Sequence, residues 1–121
     1  MDIVFINELR IDTVIGVRDW ERRVRQTLVL DLELAADTAM AAESDDVSDA
    51  LDYDAVTRQL TQHVREMEHA LVETLAEDVA MMLRDEFGVP WLRLRVTKPG
   101  AVPGARAVGV AIERGEWPGG A

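Results

Sequence analysis

Strict alternation of apolar and polar residues is the sequence feature that most constrains the fold. In QTLVLDLEL, residues 26–34, the leucines occupy every second position and therefore share one face of a predicted strand. The same alternation occupies residues 93–114, on both sides of a connection that contains Pro99-Gly100 and Pro103-Gly104. Together with the strand-like residues 3–17, these segments predict two β-hairpins.

Between the hairpins the apolar residues recur with the period of a helix. One series runs from Val56 to Met67 and a second from Leu71 to Phe87, each at spacings of three or four residues. Gly88 and Pro90 are expected to end the second helix. We therefore predict one α+β domain over residues 1–121, in which a four-stranded antiparallel sheet carries both helices on one face (ββααββ).

Two segments lie outside this pattern. Residues 35–52 are acidic, but they lack the glycine and the distal glutamate of a calcium-binding loop. We predict a solvated loop there, ending in a helix cap at Asp52 or Asp54. Residues 115–121, GEWPGGA, are predicted to be a loose tail.

Composition limits the partners and the compartment. The formal net charge of −10 argues against nucleic acid or an anionic membrane as a partner. The absence of cysteine is compatible with a reducing cytoplasm, and no apolar run approaches the roughly 20 residues of a membrane span. The acidic N-terminus is unlike a signal peptide. We expect a soluble, cytoplasmic protein.

A four-stranded sheet of this kind leaves strand edges and one face uncovered. Exposed edges pair readily with another chain, so we expect a closed homo-oligomer. A domain of 121 residues has little room for a deep cavity of its own. Pockets are therefore expected between subunits.

Lys98 is the only lysine among thirteen basic side chains. It continues the apolar row of Leu92, Leu94 and Val96, where a solvated charge is unusual. Codon bias towards arginine explains the other cations. A lysine can lose its proton when it is desolvated, whereas an arginine effectively cannot, which favours a functional role for Lys98.

The two histidines, His63 and His69, are interpreted as surface or structural residues. A spacing of six residues is poor for two ligands on one helix face, and the sequence has no third histidine. The chain also lacks cysteine ligands. No metal site is predicted.

Several motifs in order give the chain a specific resemblance. They are MDIVFI at the start, IGVRDWE at 15–21, SDDV at 44–47, LDYDAV at 51–56, ALVETLAEDVA at 70–80, KPGAV at 98–102 and VGVAIERG at 108–115. Over almost its whole length the chain resembles bacterial dihydroneopterin aldolases of the folate pathway. The resemblance implies the tunnelling fold, with four chains in a ring, two rings in a homo-octamer, and pockets between neighbouring chains.

The reaction that this resemblance implies is a retro-aldol cleavage. 7,8-Dihydroneopterin would lose glycolaldehyde and become 6-hydroxymethyl-7,8-dihydropterin, in tetrahydrofolate biosynthesis. The dihydropterin ring contains a conjugated C=N bond that can take up the electron pair, so neither a Schiff base nor a metal nor another cofactor is expected. Epimerisation to 7,8-dihydromonapterin is a side reaction that the resemblance also implies.

The resemblance also implies residue roles. Lys98 would be the general acid/base, and Glu21 would position substrate and water beside it. Tyr53 would assist protonation of the enol intermediate from an adjacent chain. Glu73 would anchor the pterin through its 2-amino and N3 positions, with the backbone of Val72 beside it.

Two other functions remain open at this point. A dihydroneopterin triphosphate epimerase shares the fold and the chemistry, but that family lacks the KPGA run and would need extra cations near the pocket. Arg106 alone is weak support for it. A non-catalytic pterin-binding ring would bind a pterin tightly without releasing glycolaldehyde.

Overall fold

A computed structural model describes residues 1–119 as five strands and three helices. The strands are β1 (Asp2–Ile15), β2 (Gln26–Ala36), β3 (Glu68–His69), β4 (Trp91–Pro99) and β5 (Ala107–Gly115), and the helices are α1 (Thr38–Ser44), α2 (Tyr53–Arg65) and α3 (Val72–Phe87). Short 3₁₀ turns cover Glu21–Arg23 and Val47–Asp49. No helix in this described part of the chain is both long and apolar enough to cross a membrane.

The strands form a sheet in the order β3-β1-β2-β4-β5. Antiparallel pairing joins β1 to β2, β2 to β4 and β4 to β5, as predicted for the two hairpins. The fifth strand, β3, was not predicted: it has two residues and pairs in parallel with the end of β1. Two residues carry no alternation, so a sequence pattern could not reveal this strand.

A bulge in β1 sets which residues face the core. The register with β2 shifts between Ile6 and Leu9, and Glu8 takes a left-handed conformation with φ 55°. The backbone N–H of Glu8 donates to Asp31 Oδ1 at 2.9 Å. The inserted residue returns Ile11 and later alternate residues to the buried face.

The hydrophobic core lies between the sheet and the two long helices. The predicted apolar faces of α2 and α3 are buried against leucines of β2 and β4, so this part of the prediction is confirmed. The fully buried large side chains are Ile11, Ile15, Leu28, Leu30, Leu32, Leu34, Val56, Leu60, Leu75, Leu83, Leu92 and Leu94.

The ends of the long helices follow the predicted signals. Asp52, rather than Asp54, caps α2 by accepting the N–H groups of Asp54 and Ala55, both at 3.1 Å. Gly88 ends α3 in the left-handed conformation, with φ 62°. The helices are thereby placed with Tyr53 and Glu73 in their first turns.

Residues 35–52 are not the continuous loop that we predicted. They contain α1, which begins at a cap formed by Asp37, and a 3₁₀ turn capped by Asp46. Neither element buries a residue. Without a buried face there is no apolar period to detect, which is why the sequence pattern missed them.

The beginning of the predicted tail is attached to the sheet. Gly115 is the last residue of β5, and the N–H of Glu116 donates to Pro90 O at 3.0 Å. The rings of Trp117 and Trp91 meet edge to face at 5.1 Å. The expected loose tail therefore does not begin at residue 115, and its residues 120–121 lie outside the described part.

The second face of the sheet is open in the single chain. Phe5 is exposed there, and Arg93 forms ion pairs with Glu33 on one neighbouring strand and Glu113 on the other. β5 is an edge strand, and β3 covers only the last residues of β1 on the opposite edge. The open face and both edges are thus available for contact with further chains.

Candidate active site

A cavity of about 510 Å³ lies where β4 ends and α3 begins. Four of the five residues predicted for the site line it, namely Glu21, Val72, Glu73 and Lys98. The other lining residues are Ile15, Gly16, Val17, Arg18, Trp20, Gln26, Ala70, Leu71, Gly100, Ala101, Val102 and Val108. Residues far apart in the chain are therefore brought to one site.

An ion pair between Lys98 and Glu21 occupies this cavity. The Lys98 Nζ atom lies 2.5 Å from Glu21 Oε2, and the two side chains are only 13% and 9% exposed. The position of Lys98 at the end of the apolar row of β4 explains its burial. A charged group in such a place is stable only with a partner, which Glu21 supplies.

Three donors hold the Glu21 carboxylate. Besides Lys98, Gln26 Nε2 donates to Oε2 at 3.3 Å and the Arg18 N–H to Oε1 at 3.4 Å. The hydrogen bond from Lys98 is the main cause that lowers the pKa of Glu21 below its ordinary value of 4.5, against the opposing effect of burial. Glu21 is therefore a carboxylate at neutral pH.

Gly16 lets the chain approach this carboxylate closely. Its φ is 141°, and a Cβ atom added to it would lie 2.4 Å from Glu21 Cδ. A glycine inside a strand-like stretch is typical of such a close backbone approach. The Gly16 N–H also donates to His69 O at 3.4 Å, so the end of β1 is tied to β3.

Glu73 lies in the first turn of α3, beside Val72. The residue before the helix, Leu71, provides no side-chain cap. A carboxylate in the first turn suits the positive end of the helix dipole. Glu73 is exposed towards the cavity that Lys98 also lines, so the pair formed by Lys98 and Glu21 leaves this second carboxylate free to accept donors from a ligand.

Tyr53 is the predicted site residue that this chain does not bring to the cavity. It begins α2, is 64% exposed and is absent from the cavity wall. Arg106, the cation considered for a triphosphate, does not line the cavity either. Arg18 lines it instead.

Sequence reasoning missed Arg18 and Gln26. Gln26 Nε2 bonds both Glu21 and the Ile15 carbonyl, the latter at 2.8 Å, so it holds the carboxylate against the end of β1. Its only signal was its position at the start of β2, close in sequence to Glu21. That proximity does not reveal the direction of a side chain.

His63 and His69 meet at one carboxylate, outside the cavity wall. Their Nε2 atoms lie 3.3 Å from Oδ1 and 3.1 Å from Oδ2 of Asp78. Desolvation is the largest single influence on the pKa of Asp78 and raises it, but the histidine hydrogen bonds together hold that pKa below its usual range. The structural interpretation of the two histidines agrees with these contacts, which join α2, β3 and α3.

Comparison with known proteins agrees with the geometry. The family described as FolB, dihydroneopterin aldolase, matches residues 4–113. The dihydroneopterin aldolase of Escherichia coli strain K12 is 50% identical over 115 residues, which cover 95% of this chain and 94% of the relative. The crystal structure of E. coli dihydroneopterin aldolase in complex with neopterin matches with a TM-score of 0.92 and 50% identity, covering 95% of this chain and all of that one (100%).

A related enzyme is more distant. The dihydroneopterin triphosphate 2′-epimerase of E. coli strain K12 is 31% identical over 110 residues, covering 91% of this chain and 92% of the relative. The α+β fold, with its helices on one face of a curled sheet, is the tunnelling fold of the aldolases. On sequence, fold and the composition of the cavity, the chain belongs to the dihydroneopterin aldolase family.

Proposed function

We propose that this cavity performs the retro-aldol cleavage of 7,8-dihydroneopterin, with Lys98, Glu21 and Tyr53 as catalytic residues and Glu73 as the pterin anchor. The enzyme is a dihydroneopterin aldolase, a carbon–carbon lyase of folate biosynthesis. The observation that carries the residue assignment is the nearly dry pair of Lys98 and Glu21, 2.5 Å apart, in one cavity with Glu73.

The bond that breaks joins C1′ and C2′ of the substrate side chain. The 2′-hydroxyl loses its proton and C2′ becomes the aldehyde carbon of glycolaldehyde. The electron pair of the broken bond moves into the conjugated C=N of the dihydropterin, and C1′ then takes a proton to give the hydroxymethyl product. Because the ring itself takes up the electrons, the protein has to move protons and stabilise charge.

Lys98 and Glu21 meet this requirement as a unit. An ammonium can donate a proton to a developing negative charge, while the adjacent carboxylate orients water or the side-chain hydroxyl. Gln26 and the Arg18 N–H hold Glu21, so the carboxylate does not need to reorganise during the reaction. Both side chains also contribute to substrate binding in this proposal.

Glu73 binds the other end of the substrate. A carboxylate accepts two parallel hydrogen bonds from the 2-amino and N3 groups of a pterin. Val72 lies next to it in the cavity wall, where its backbone could contribute to the pocket in this proposal. Holding the ring at Glu73 directs its C6 side chain towards the Lys98 end of the cavity.

Tyr53 is proposed to come from a neighbouring chain. Its side chain is 64% exposed and outside the cavity of its own chain, while the open sheet face and edges favour assembly.

We propose a homo-octamer of two tetrameric rings, one aldolase domain per chain over residues 1–121, in the cytoplasm. The acidic net charge disfavours nucleic acid and anionic membranes as partners.

Epimerisation to 7,8-dihydromonapterin is proposed as a side activity, because re-addition of the aldehyde can occur on either face. The triphosphate epimerase is the weaker alternative, given 31% identity against 50% for the aldolase. A non-catalytic pterin-binding ring does not account for a desolvated ammonium and carboxylate pair.

The direct test is incubation of the purified protein with 7,8-dihydroneopterin. We expect stoichiometric glycolaldehyde and 6-hydroxymethyl-7,8-dihydropterin, at the same rate with and without a chelator. Tight pterin binding without glycolaldehyde would support the non-catalytic ring and overturn the proposed function. A rate abolished by the chelator would overturn the metal-free mechanism.

Complementation tests the shared site. Tyr53→Ala and Lys98→Ala, each inactive alone, are co-expressed and the mixed oligomer is assayed. If one site takes Tyr53 from one chain and Lys98 from another, random assembly restores about a quarter of the sites. If both residues act within one chain, every site lacks one of them and activity stays at the level of the single variants.

A further inference from the structure

Arg18 is the ionic residue of the cavity wall whose side chain the proposed mechanism does not use. Its N–H bonds Glu21, whereas its guanidinium forms no ion pair with any residue in the described range 1–119. Other arginines do form such pairs, as Arg93 does with Glu33 and Arg114 with Glu77. Arg18 is therefore a cation in the cavity wall that is available to a ligand.

The place of Arg18 along the cavity follows from this hydrogen bond. Its backbone lies next to Glu21 Oε1, while Lys98 contacts Oε2 of the same carboxylate. Arg18 thus belongs to the end of the cavity where the reacting bond must lie when Glu73 holds the ring. The far end of the substrate side chain, beyond C2′, lies towards this arginine.

The charges of the cavity wall strengthen the case. Its ionic side chains are Glu21, Glu73, Lys98 and Arg18. Glu21 pairs with Lys98, and Glu73 accepts the pterin donors in the proposed mechanism, which leaves Arg18 for another group of the ligand. A guanidinium presents a planar fork of donors that matches a phosphate oxygen pair.

We propose that Arg18 allows the enzyme to cleave a dihydroneopterin whose side chain ends in a phosphate monoester on the 3′-hydroxyl. This inference rests on the proposed function. The same C1′–C2′ bond breaks, the 2′-hydroxyl loses its proton, and the ring takes up the electron pair before C1′ is protonated. The products are 6-hydroxymethyl-7,8-dihydropterin and glycolaldehyde phosphate, and the phosphate ester stays intact.

The test compares kcat/KM for 7,8-dihydroneopterin and its 3′-monophosphate. We expect the wild type to cleave both, and Arg18→Gln to lower the ratio of phosphorylated to unphosphorylated kcat/KM about tenfold or more, as loss of a charge-assisted contact implies. Arg18→Lys should give an intermediate ratio, since it keeps the charge without the fork. Arg22→Gln, an exposed arginine outside the cavity wall, is the matched control and should leave the ratio unchanged.

Three outcomes would overturn the inference. The first is that the wild type does not cleave the monophosphate. The second is that Arg18→Gln lowers kcat/KM equally for both substrates. The third is that Arg22→Gln changes the ratio as much as Arg18→Gln does. The last would indicate a general charge effect. A wild type that cleaves dihydroneopterin but not the ester leaves the proposed function standing, whereas failure on both substrates overturns the two together.

Discussion

Strand β4 has an ion pair at each end, and the two differ in every respect that matters for function. Lys98 faces the helix side, pairs with one carboxylate, and is 13% exposed. Arg93 faces the open side, pairs with both Glu33 and Glu113, and is 55% exposed. The alternation of one strand thus gives a dry pair and a wet pair five residues apart.

The difference shows that burial changes what an ion pair contributes to stability and to function. Exposed pairs contribute about 0–1 kcal/mol to stability, because water solvates the charges almost as well as the partner does. A buried pair has lost that water, so removal of one partner leaves a poorly solvated charge. The dry pair can therefore influence proton transfer, whereas the wet pair mainly balances charges on the exposed surface of the sheet.

The largest effect is expected from removal of the dry cation. Lys98→Ala should lower kcat by about 10²–10⁴-fold, because it removes the proposed general acid/base. Steady-state kinetics measure the loss, and size-exclusion chromatography shows whether the oligomer still assembles. Near-normal turnover in an assembled protein would refute the assignment of Lys98.

The second-largest effect on kcat is expected from displacement of the Glu21 carboxylate, the anion of the dry pair. Gly16→Ala would place a Cβ atom 2.4 Å from Glu21 Cδ at a φ of 141°, so the carboxylate must move. We expect kcat to fall by about 10²-fold, as for a misplacement of the order of 1 Å. Gly104→Ala is the control, since Gly104 has a φ of 87° and no neighbour near the added atom. If both variants lose the same activity, backbone strain rather than Glu21 is responsible.

A smaller effect concerns stability in acid. Folding lowers the pKa of Glu21, mainly through the hydrogen bond from Lys98. The ionised carboxylate therefore stabilises the folded protein at pH values above 4.5, its ordinary pKa. That contribution is lost as the pH falls through the lowered folded value. The difference in free energy of unfolding between the wild type and Glu21→Gln should therefore shrink as the pH falls below 4.5. Denaturant titrations across this range would contradict the ion pair if the difference stayed constant.

The smallest effect is expected at the wet pair. Arg93→Ala should change the free energy of unfolding of the chain by about 1 kcal/mol or less and leave kcat within about twofold. Chemical denaturation and steady-state assays provide both numbers. A loss of activity comparable to that of Lys98→Ala would remove the distinction between the two ends of β4.

Much of the scaffold was predictable because burial imposes a period on the sequence. Leu28 to Leu34, the apolar faces of α2 and α3, and Gly88 after the last turn all carry such a signal. α1 buries nothing and β3 is two residues long, so neither could be recognised. The site residues followed partly from the apolar row that ends at Lys98 and otherwise from the family resemblance.

By itself the sequence determined the strand and helix faces and the unusual position of its one lysine, because side-chain periodicity is local along the chain. Only the tertiary structure decided that Lys98 meets Glu21 across 77 residues, that Gln26 bonds that carboxylate while Gly16 leaves space for it, and that Arg18 rather than Arg106 enters the cavity wall. The physical reason is that hydrogen bonds and close contacts depend on distances between side chains from different elements, and those distances exist only when the core has packed.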